Sequence, residues 1–207
     1  MKKSNFSIEK NKSQKKPVRA LVLFSGGLDS ILAVKILEKR GIEATALTFV
    51  SYFFDAKQAK KSAEENKIKL KISDFSDEHL KIIKNPCYGR GAGMNPCIDC
   101  HLLMLKCAKI IAKKEGFDII ATGEVLGQRP MSQNFRALEL IEKKAGLAGK
   151  ILRPLSEKAI HPRAELLGGM YGISGRSRKE QMALAKEYKI KFYPSPGGGC
   201  ILTEKEY

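Results

Sequence analysis

The stretch that decides the fold runs from Ala20 to Ser30 and reads ALVLFSGGLDS. Its first five residues, Ala20 to Phe24, are all apolar, as expected for a strand buried on both faces of a parallel sheet. Two glycines follow, and the helical spacing of apolar residues then continues from Ser30 to Lys39. A strand, a glycine-rich turn and a helix in this order predict an anion-binding site at the carboxyl end of the first strand.

Further along the chain, apolar stretches of strand length alternate with stretches of helical spacing. Four more strands are predicted at 43–50, 68–73, 118–122 and 150–155. Helices are predicted between the fourth and fifth strands and at 56–66, 77–83, 95–115, 161–170 and 178–188. Asn95 is expected as the N-cap and Pro96 as the first residue of the long helix, which Gly116 ends. This order predicts an α/β fold, with a parallel five-stranded sheet and helices on both faces.

The chain has 207 residues, enough for one core of ordinary size. We expect a disordered basic arm at 1–17 and a single domain at 18–207. The 38 basic and 22 acidic residues give a formal net charge of +16, which favours a polyanionic partner such as nucleic acid; a lysine-rich composition that only maintains solubility is the alternative. No apolar run approaches the ~20 residues of a membrane helix, and the N-terminus lacks the apolar segment of a secretory signal. These features predict a cytoplasmic protein that does not bind membranes.

The glycine-rich turn offers groups that suit a phosphate. Gly26 and Gly27 let the backbone approach a ligand closely. Ser25 and Ser30 add hydroxyls beside the free N–H groups of a helix start. Asp29 is unusual in a pure anion site, and it suits a magnesium ion or a role in orienting the turn. The turn lacks the Lys-Ser/Thr ending of the Walker A type, and a tight turn that binds nothing is the alternative.

SGGLDS at 25–30 resembles the SGG-x-DS signature of the PP-loop ATP pyrophosphatase superfamily. Members of that superfamily adenylate a carbonyl oxygen and release pyrophosphate, so the attack falls on the α-phosphate of ATP. The resemblance implies that this loop binds ATP and Mg²⁺ and that Asp29 takes part in catalysis. Thr48, near the end of the second predicted strand, is counted with the loop residues as an expected ATP contact.

A second signature follows the fourth predicted strand. ATGEVLGQ at 121–128 and MSQN at 131–134 resemble the tRNA 4-thiouridine synthase family, which carries TGEALGQ-x-SSQT here, and LRPL at 152–155 matches that family's next strand. The likeness covers about residues 18–165. It implies that Gly123 lies against ATP, that Gln128 binds ATP, and that the reaction site is lined by Gln128, Arg129, Ser132 and Gln133. An ordinary polar loop that caps the sheet is the alternative.

The chain has five cysteines, at 87, 97, 100, 107 and 200. An odd number without an export signal argues against a disulfide framework. Cys97 and Cys100 lie three residues apart at a predicted helix start, so they share one face, and the helix dipole should lower the pKa of Cys97. Cys200 follows a flexible Pro-Gly-Gly-Gly stretch and is their candidate partner. Cys107 is expected in the core and Cys87 in a structural or exposed position.

NPCIDC at 95–100 resembles the NPD-x-x-C motif of the tRNA 2-thiouridylase family, with Cys97 in place of the aspartate. That family has its second working cysteine near the position of Cys200. A CxxC with a distant third cysteine also resembles thiolation enzymes whose 4Fe–4S cluster is held by three thiolates. Cys97, Cys100 and Cys200 are therefore candidate cluster ligands. A persulfide and disulfide relay between Cys100 and Cys200, a zinc site that uses His101 as well, and a purely structural role stay open.

Several basic residues accompany these motifs. They could contact ATP or tRNA phosphates, or form a solvated face, and they are Arg90, Arg129, Arg136, Arg153, Arg176, Arg178 and Lys179. Ser177 is expected to cap the last helix. His79 is expected at the surface, and His161 receives no catalytic role.

Together the motifs predict an ATP-dependent tRNA thiolation enzyme. A uridine carbonyl would be adenylated, and sulfur would then be transferred through Cys97, Cys100 and Cys200. The sulfur donor would be a cysteine desulfurase or free sulfide, and a homodimer is open. The resembled families carry an extra RNA-binding domain, so the chain would be a compact or cut-down member or would need a partner. The alternatives are a PP-loop synthetase or amidotransferase that adenylates a small carboxylate or amide, and an RNA-binding module with a degenerate ATP site.

Overall fold

The computed structural model describes residues 16–91, 93–161, 170–195 and 200–204. Within them, five parallel strands form one sheet in the order β3-β2-β1-β4-β5. The strands are β1 (Arg19–Leu23), β2 (Glu43–Val50), β3 (Leu70–Asp74), β4 (Ile119–Thr122) and β5 (Ile151–Leu152). The predicted parallel five-stranded sheet is confirmed.

The helices occupy the connections between the strands. They are α1 (Leu28–Lys39), α2 (Lys57–Glu65), α3 (Ser76–Lys84), α4 (Cys97–Glu115), α5 (Phe135–Ala145), α6 (Glu157–Ile160) and α7 (Lys179–Glu187). A 3-10 turn follows at Ile201–Thr203. None of the helices within the described ranges is both long and apolar enough to cross a membrane.

Each face of the sheet carries its own hydrophobic core. Ala20 and Val22 of β1 pack into one core and Leu21 packs into the other, because successive strand residues point to opposite faces. The first core includes most of α1, which also contacts α7, and the second lies under α4 and α5. The all-apolar sequence of β1 thus follows from burial on both sides, and the predicted helices on both faces are confirmed.

Two boundaries differ from the sequence-based expectations. The long helix α4 begins at Cys97, so Pro96 precedes the helix instead of occupying its first position, and no side chain caps it. The fifth strand spans two residues only, Ile151 and Leu152, and a turn follows it where 153–155 were expected to continue the strand. The expected helix at 161–170 lies almost entirely outside the described residues, as do residues 1–15 of the expected basic arm.

The strand order sets the position of the site. β1 and β4 are neighbours, and Leu23 at the end of β1 pairs with Thr122 at the end of β4. The loops that follow these strands therefore leave the sheet side by side. They are the two loops that carry SGGLDS and GEVLGQ, so the fold brings the two sequence signatures together at the carboxyl edge of the sheet, where open parallel sheets bind ligands.

Candidate active site

The SGGLDS loop, residues 25–30, makes a tight turn into α1. Ser30 Oγ donates a hydrogen bond of 2.8 Å to the Gly27 carbonyl, and the Gly27 N–H donates one of 3.3 Å to Ser25 Oγ. Gly27 precedes the first residue of α1 and has an extended backbone. The first N–H groups of α1 consequently point out of the turn, which is the arrangement that binds anions at helix N-termini.

Gly26 is required where the loop passes α2. Its φ is +80°, and a Cβ added there would lie 2.8 Å from the Cα of Ala59. Ser62 of α2 donates a 2.8 Å hydrogen bond to the Gly26 carbonyl. Thr48 is buried and donates its hydroxyl to the Phe24 carbonyl, so it supports the strand end beneath the loop and does not face the cavity described below.

Gly123 brings the second loop onto the first. A Cβ at this position would lie 2.7 Å from the Asp29 carbonyl carbon and oxygen and 2.7 Å from the Ser30 nitrogen. Real Cβ atoms do not approach backbone atoms so closely, so the chain needs glycine here. Gly123 thus contacts the backbone of the SGGLDS loop directly, and its expected contact with ATP stays a prediction.

The Asp29 carboxylate occupies the centre of the two loops. Its Oδ2 accepts a 3.1 Å hydrogen bond from Gln128 Nε2. Burial raises the pKa of Asp29, while Gln128 and the charges of Arg178 and Arg129 oppose that rise. Among the described residues, its Oδ1 has no hydrogen-bond partner. A buried carboxylate oxygen without a partner suits a cation or a hydrogen-bond donor that arrives with a ligand.

A cavity of about 570 Å³ opens over these groups. It is large enough for a nucleotide, since ligand sites commonly span roughly 300–1,000 Å³. Four parts of the chain line it, and the polar residues among them are Ser25, Asp29, Ser30, Asn95, Cys97, Gln128, Arg129, Ser132, Arg176, Arg178, Ser195 and Thr203. The structure therefore brings both sequence signatures, the start of α4 and the C-terminal segment to one site.

Ser132 and Gln133 follow the second signature and are nearly fully buried. Ser132 lines the cavity, and Gln133 lies behind it, where its carbonyl accepts a 2.7 Å hydrogen bond from the Gly127 N–H. Within the described part of the chain, neither Ser132 Oγ nor Gln133 Oε1 has a hydrogen-bond partner. Buried polar atoms are nearly always paired, so these two atoms are available to a ligand, and the expected places of Ser132 and Gln133 in the reaction site stay predictions.

Cys97 connects this cavity to the cysteine motif. It is half-buried and lines the same cavity as Asp29. Burial raises the pKa of the Cys97 thiol, and Asn95 and Arg129 oppose the rise while Cys200 adds to it. The expectation that the helix N-terminus lowers this pKa is therefore wrong, because desolvation outweighs the dipole at this position.

Cys100 lies one helical turn further along α4. Its Sγ is 3.4 Å from Nε2 of His79, and burial, followed by the charges of Cys200 and Cys97, raises its pKa to about 12. His79 is fully buried, which corrects the expectation of a surface position, and its ring stacks on Phe75 with centroids 5.0 Å apart. A neutral thiol therefore contacts a neutral imidazole, because desolvation lowers the pKa of His79 to about 4.

The C-terminal turn brings Cys200 toward the other two thiols. A Cβ on Gly93 would lie 2.7 Å from the Leu202 carbonyl, so the turn packs on the loop that precedes α4. Cys200 is close enough to raise the pKa of both Cys97 and Cys100. All five cysteines are free thiols in the structure. Over the described ranges, no three His, Cys, Asp or Glu side chains already have the arrangement of a metal site.

Comparisons with known proteins agree with this architecture. The family model described as thiamine biosynthesis protein (ThiI) matches residues 16–191 of the chain. The chain belongs to this family.

A probable tRNA sulfurtransferase from Thermoanaerobacter sp. strain X514 is 33% identical over 146 residues, which are 66% of this chain and 36% of that protein. A tRNA sulfurtransferase from Desulfurococcus amylolyticus is 31% identical over 144 residues, 66% of this chain and 29% of that protein. The chain spans about a third of the length of these curated relatives.

Two solved structures share the fold of this ThiI-family chain. A 4-thiouridine synthetase, in a complex with RNA and bound ATP, superposes with a TM-score of 0.52 at 22% identity, over 84% of this chain and 52% of that one. A predicted subunit of tRNA methyltransferase from Methanocaldococcus jannaschii superposes with a TM-score of 0.53 at 20% identity, over 82% of this chain and 75% of that one. These likenesses confirm the PP-loop type of α/β fold.

A buried charge network includes Glu124 of the GEVLGQ loop. Arg153 is 1% exposed; its Nε donates a 3.0 Å hydrogen bond to Glu124, and its Nη1 donates to Glu142. Glu124 also lies 2.9 Å from Nδ1 of His101, and Arg153 and His101 hold the pKa of Glu124 at about 2 against the opposing effect of burial. Arg153 is thus a structural ion-pair partner and is too deeply buried to contact phosphates. His101 contacts Glu124 through Nδ1, whereas the zinc alternative would use this residue as a fourth ligand beside the cysteines.

The other basic residues divide into two groups. Arg129, Arg176 and Arg178 line the cavity, so they can contact an anion there. Arg90 donates to the carbonyls of Ile83 and Lys84, which fixes the end of α3, and Arg136 is exposed outside the cavity. Ser177 accepts a 3.5 Å hydrogen bond from the Lys179 N–H at the start of α7, close to its expected capping role.

Proposed function

We propose that this chain is the ATP-using catalytic part of a tRNA thiolation enzyme. It activates a carbonyl oxygen of a uridine with ATP and then replaces that oxygen with sulfur. The observation that carries the proposal is the shared cavity of about 570 Å³, in which the SGGLDS loop and Cys97 face the same space. The relatives named tRNA sulfurtransferase support the substrate class, and the +16 charge favours an RNA partner.

ATP would bind with its phosphates on the SGGLDS loop. The free N–H groups at the start of α1 and the hydroxyls of Ser25 and Ser30 face the cavity there. Mg²⁺ prefers oxygen ligands, and the unpartnered, buried Oδ1 of Asp29 fits that preference. When bound, the ion would neutralise charge on the phosphates. Arg129, Arg176 and Arg178 line the same cavity and would add positive charge there.

In the first step, the uridine carbonyl oxygen attacks the α-phosphorus of ATP. An oxygen–phosphorus bond forms, the bond between the α-phosphorus and its bridging oxygen breaks, and pyrophosphate leaves. Ser132, Gln128 and Arg129 lie where they can hold the base and the phosphates in line. Fixed donors aimed at the developing charge, in a site that excludes water, stabilise this transition state.

In the second step, a sulfur nucleophile attacks the activated ring carbon. A carbon–sulfur bond forms and the carbon–oxygen bond to AMP breaks. Free sulfide would complete the exchange directly. Alternatively, a persulfide on one of Cys100 and Cys200 delivers its terminal sulfur, and the other thiolate then attacks the carrier cysteine. This relay releases the thiolated base and leaves a disulfide, which a thiol reductant must reduce before the next turnover.

The three thiols also have the composition of a cluster site. A 4Fe–4S cluster on Cys97, Cys100 and Cys200 would supply an open iron position for sulfide. The thiols lie close enough to raise one another's pKa, which supports a common task, although in the described residues they do not have a ready ligand arrangement. Neither proposed step therefore takes place at a cluster. The sulfur donor, a homodimer and a cytoplasmic location stay predictions.

Reconstitution with tRNA tests the proposal. The anaerobically purified chain is incubated with ATP, Mg²⁺ and a tRNA transcript, together with either sulfide or a cysteine desulfurase, cysteine and a thiol reductant. Pyrophosphate and thionucleosides are measured. We expect pyrophosphate release that depends on tRNA, together with a thiouridine detected by mass spectrometry. With the desulfurase as the sulfur donor, the Cys97→Ser, Cys100→Ser and Cys200→Ser variants should lose thiolation and still bind ATP, whereas Cys107→Ala should retain both.

Other outcomes separate the alternatives. Full activity of the three serine variants would overturn the proposed sulfur chemistry and favour a PP-loop synthetase. RNA binding without pyrophosphate release would indicate a degenerate ATP site. Visible absorption with an iron and sulfide assay on the same preparation decides between the cluster and the relay, since a colourless, iron-free, active chain excludes the cluster.

A further inference from the structure

Gln181 approaches Asp29 from the C-terminal helix. It is fully buried in the first turn of α7, and among the described residues both its Nε2 and its Oε1 have no hydrogen-bond partner. A side-chain hydrogen-bonding interaction with Gln181 lowers the pKa of Asp29, yet the contact falls short of the geometry of a formed hydrogen bond, since Gln181 Nε2 and Asp29 Oδ1 both lack a partner among the described residues. A buried amide with two unpaired atoms beside a carboxylate with an unpaired oxygen is an unusual arrangement.

Arg178 stands at the same end of α7, three residues before Gln181. Residues with this spacing are neighbours on a helix surface. Its Nε is buried and, within the described ranges, also lacks a hydrogen-bond partner, while other parts of the side chain line the cavity. Half of the eight unpaired side-chain atoms found in the described residues therefore belong to Arg178, Gln181 and Asp29.

A hydrogen-bond chain through Gln181 would pair all four atoms. The Arg178 Nε–H would donate to Gln181 Oε1, and the Gln181 Nε2–H would donate to Asp29 Oδ1, whose second lone pair stays free for Mg²⁺. Gln128 already occupies Oδ2 of the same carboxylate, so Asp29 would then be held by a carboxamide on each oxygen. The donors and acceptors match without any change of protonation.

We propose that Gln181 is a positioning residue that transmits phosphate binding at Arg178 to the orientation of Asp29. The inference rests on the proposed use of ATP. A phosphate group bound by the Arg178 guanidinium orients its Nε–H toward Gln181, and Gln181 then fixes Asp29 in the position that serves the nucleotide. Gln181 is not among the residues that line the cavity, so it acts through its two neighbours and touches no ligand.

The Gln181 amide therefore affects the stability of the free protein and the binding of the nucleotide in opposite directions. In the free chain, Gln181 contributes two unpaired buried atoms, which destabilise the fold. In the bound chain, the same atoms complete a hydrogen-bond chain that ends on a carboxylate, and bonds to charged groups are the stronger kind. Replacing Gln181 by an apolar residue of similar size should therefore spare the free protein and weaken nucleotide binding.

Gln181→Met tests this separation. Thermal unfolding is measured without nucleotide, and the binding of Mg²⁺ with α,β-methylene-ATP is measured by calorimetry. We expect the melting temperature of the free variant to equal or exceed that of the wild type, and its nucleotide affinity to fall about tenfold. Met182→Ala, at the exposed next position of α7, is the control and should leave both quantities unchanged.

Two results would overturn the inference. One is a destabilised free variant with normal nucleotide affinity, which indicates a purely structural glutamine. The other is wild-type affinity in Gln181→Glu, a second variant that keeps an acceptor for Arg178 but has no donor for Asp29 and should bind at least as weakly as Gln181→Met. Failure of the wild-type chain to bind the nucleotide would instead overturn the proposed function itself.

Discussion

Gly123 lies against the backbone of Asp29 so closely that no side chain fits between them. A Cβ added to Gly123 would be 2.7 Å from the Asp29 carbonyl carbon. This contact joins the loop after β4 to the loop after β1, and it sets the depth at which Gln128 reaches the Asp29 carboxylate. The glycine is therefore a spacing element between the two loops that form the candidate active site.

Gly123→Ala should separate these loops. The added methyl group meets backbone atoms on the other side and cannot be relieved by a rotamer change, so we expect a stability loss of about 1–3 kcal/mol. ATP binding should fall more strongly, because the Gln128 contact to Asp29 depends on the spacing. Urea unfolding and calorimetric ATP titration measure the two effects. Gly172→Ala is the control, since its nearest neighbour is a Lys158 side-chain atom at 3.4 Å; similar losses in both variants would contradict the spacing role.

The sequence predicts the first half of this site well because its signals are local. The apolar run of β1, the two glycines and the start of α1 are contiguous, and β1, β2 and α1 are found where periodicity predicts them. The fifth strand is shorter than predicted, because the apolar pattern at 150–155 continues into a buried turn. Burial alone does not distinguish a strand from such a turn.

Arg153 shows the other limit of sequence interpretation. Its neighbours in the sequence suggest a basic residue near a ligand loop, whereas its partners Glu124 and Glu142 come from distant positions. The interaction between Gln181 and Asp29 is not predicted for the same reason, since nothing around Gln181 in the sequence indicates it. Pairings of this kind depend on the folded contacts and leave no pattern in the chain.

Arg153→Leu should destabilise the protein strongly. The substitution leaves the buried carboxylates of Glu124 and Glu142 without their common partner, and breaking a buried ion pair in this way costs about 3–5 kcal/mol. Urea unfolding at neutral pH measures the change. Lys57→Ala removes the exposed ion pair with Asp55 and should shift the midpoint little. Equal losses of stability in the two variants would show that the buried network stabilises the protein no more than an exposed ion pair does.

His79 predicts a specific loss of stability in mild acid. Its segment, SDEHLKIIK, looks like a surface helix, and only the folded contacts with Phe75 and Cys100 bury the ring. Desolvation lowers its pKa from 6.5 to about 4. The unfolded chain therefore takes up a proton first as the pH falls, so the contribution is complete above about pH 6.5 and is lost toward pH 4, with a total of about 3 kcal/mol.

A comparison of variants isolates this contribution. His79→Phe keeps an aromatic ring against Phe75 and cannot be protonated, so its stability should change less between pH 7 and pH 4.5 than that of the wild type. His161→Asn removes an exposed histidine and should retain the wild-type pH dependence. Denaturant unfolding of the metal-free protein at several pH values gives the curves, and parallel curves for wild type and His79→Phe would contradict the assignment.

Cys97 should be protected from alkylation by ATP. It shares the cavity with Asp29 and Arg178, so a bound nucleotide blocks its access, whereas Cys87 is exposed outside the cavity. With iodoacetamide and peptide mass spectrometry, we expect Cys87 to react first, Cys97 next and Cys100 last, because burial raises the Cys100 pKa to about 12 and only the thiolate reacts. At a nucleotide concentration ten times Kd, the Cys97 rate should fall about tenfold while that of Cys87 is unchanged. If the nucleotide binds but does not slow the alkylation of Cys97, then ATP binds outside this cavity. The thiol would then be separate from the site where ATP is used.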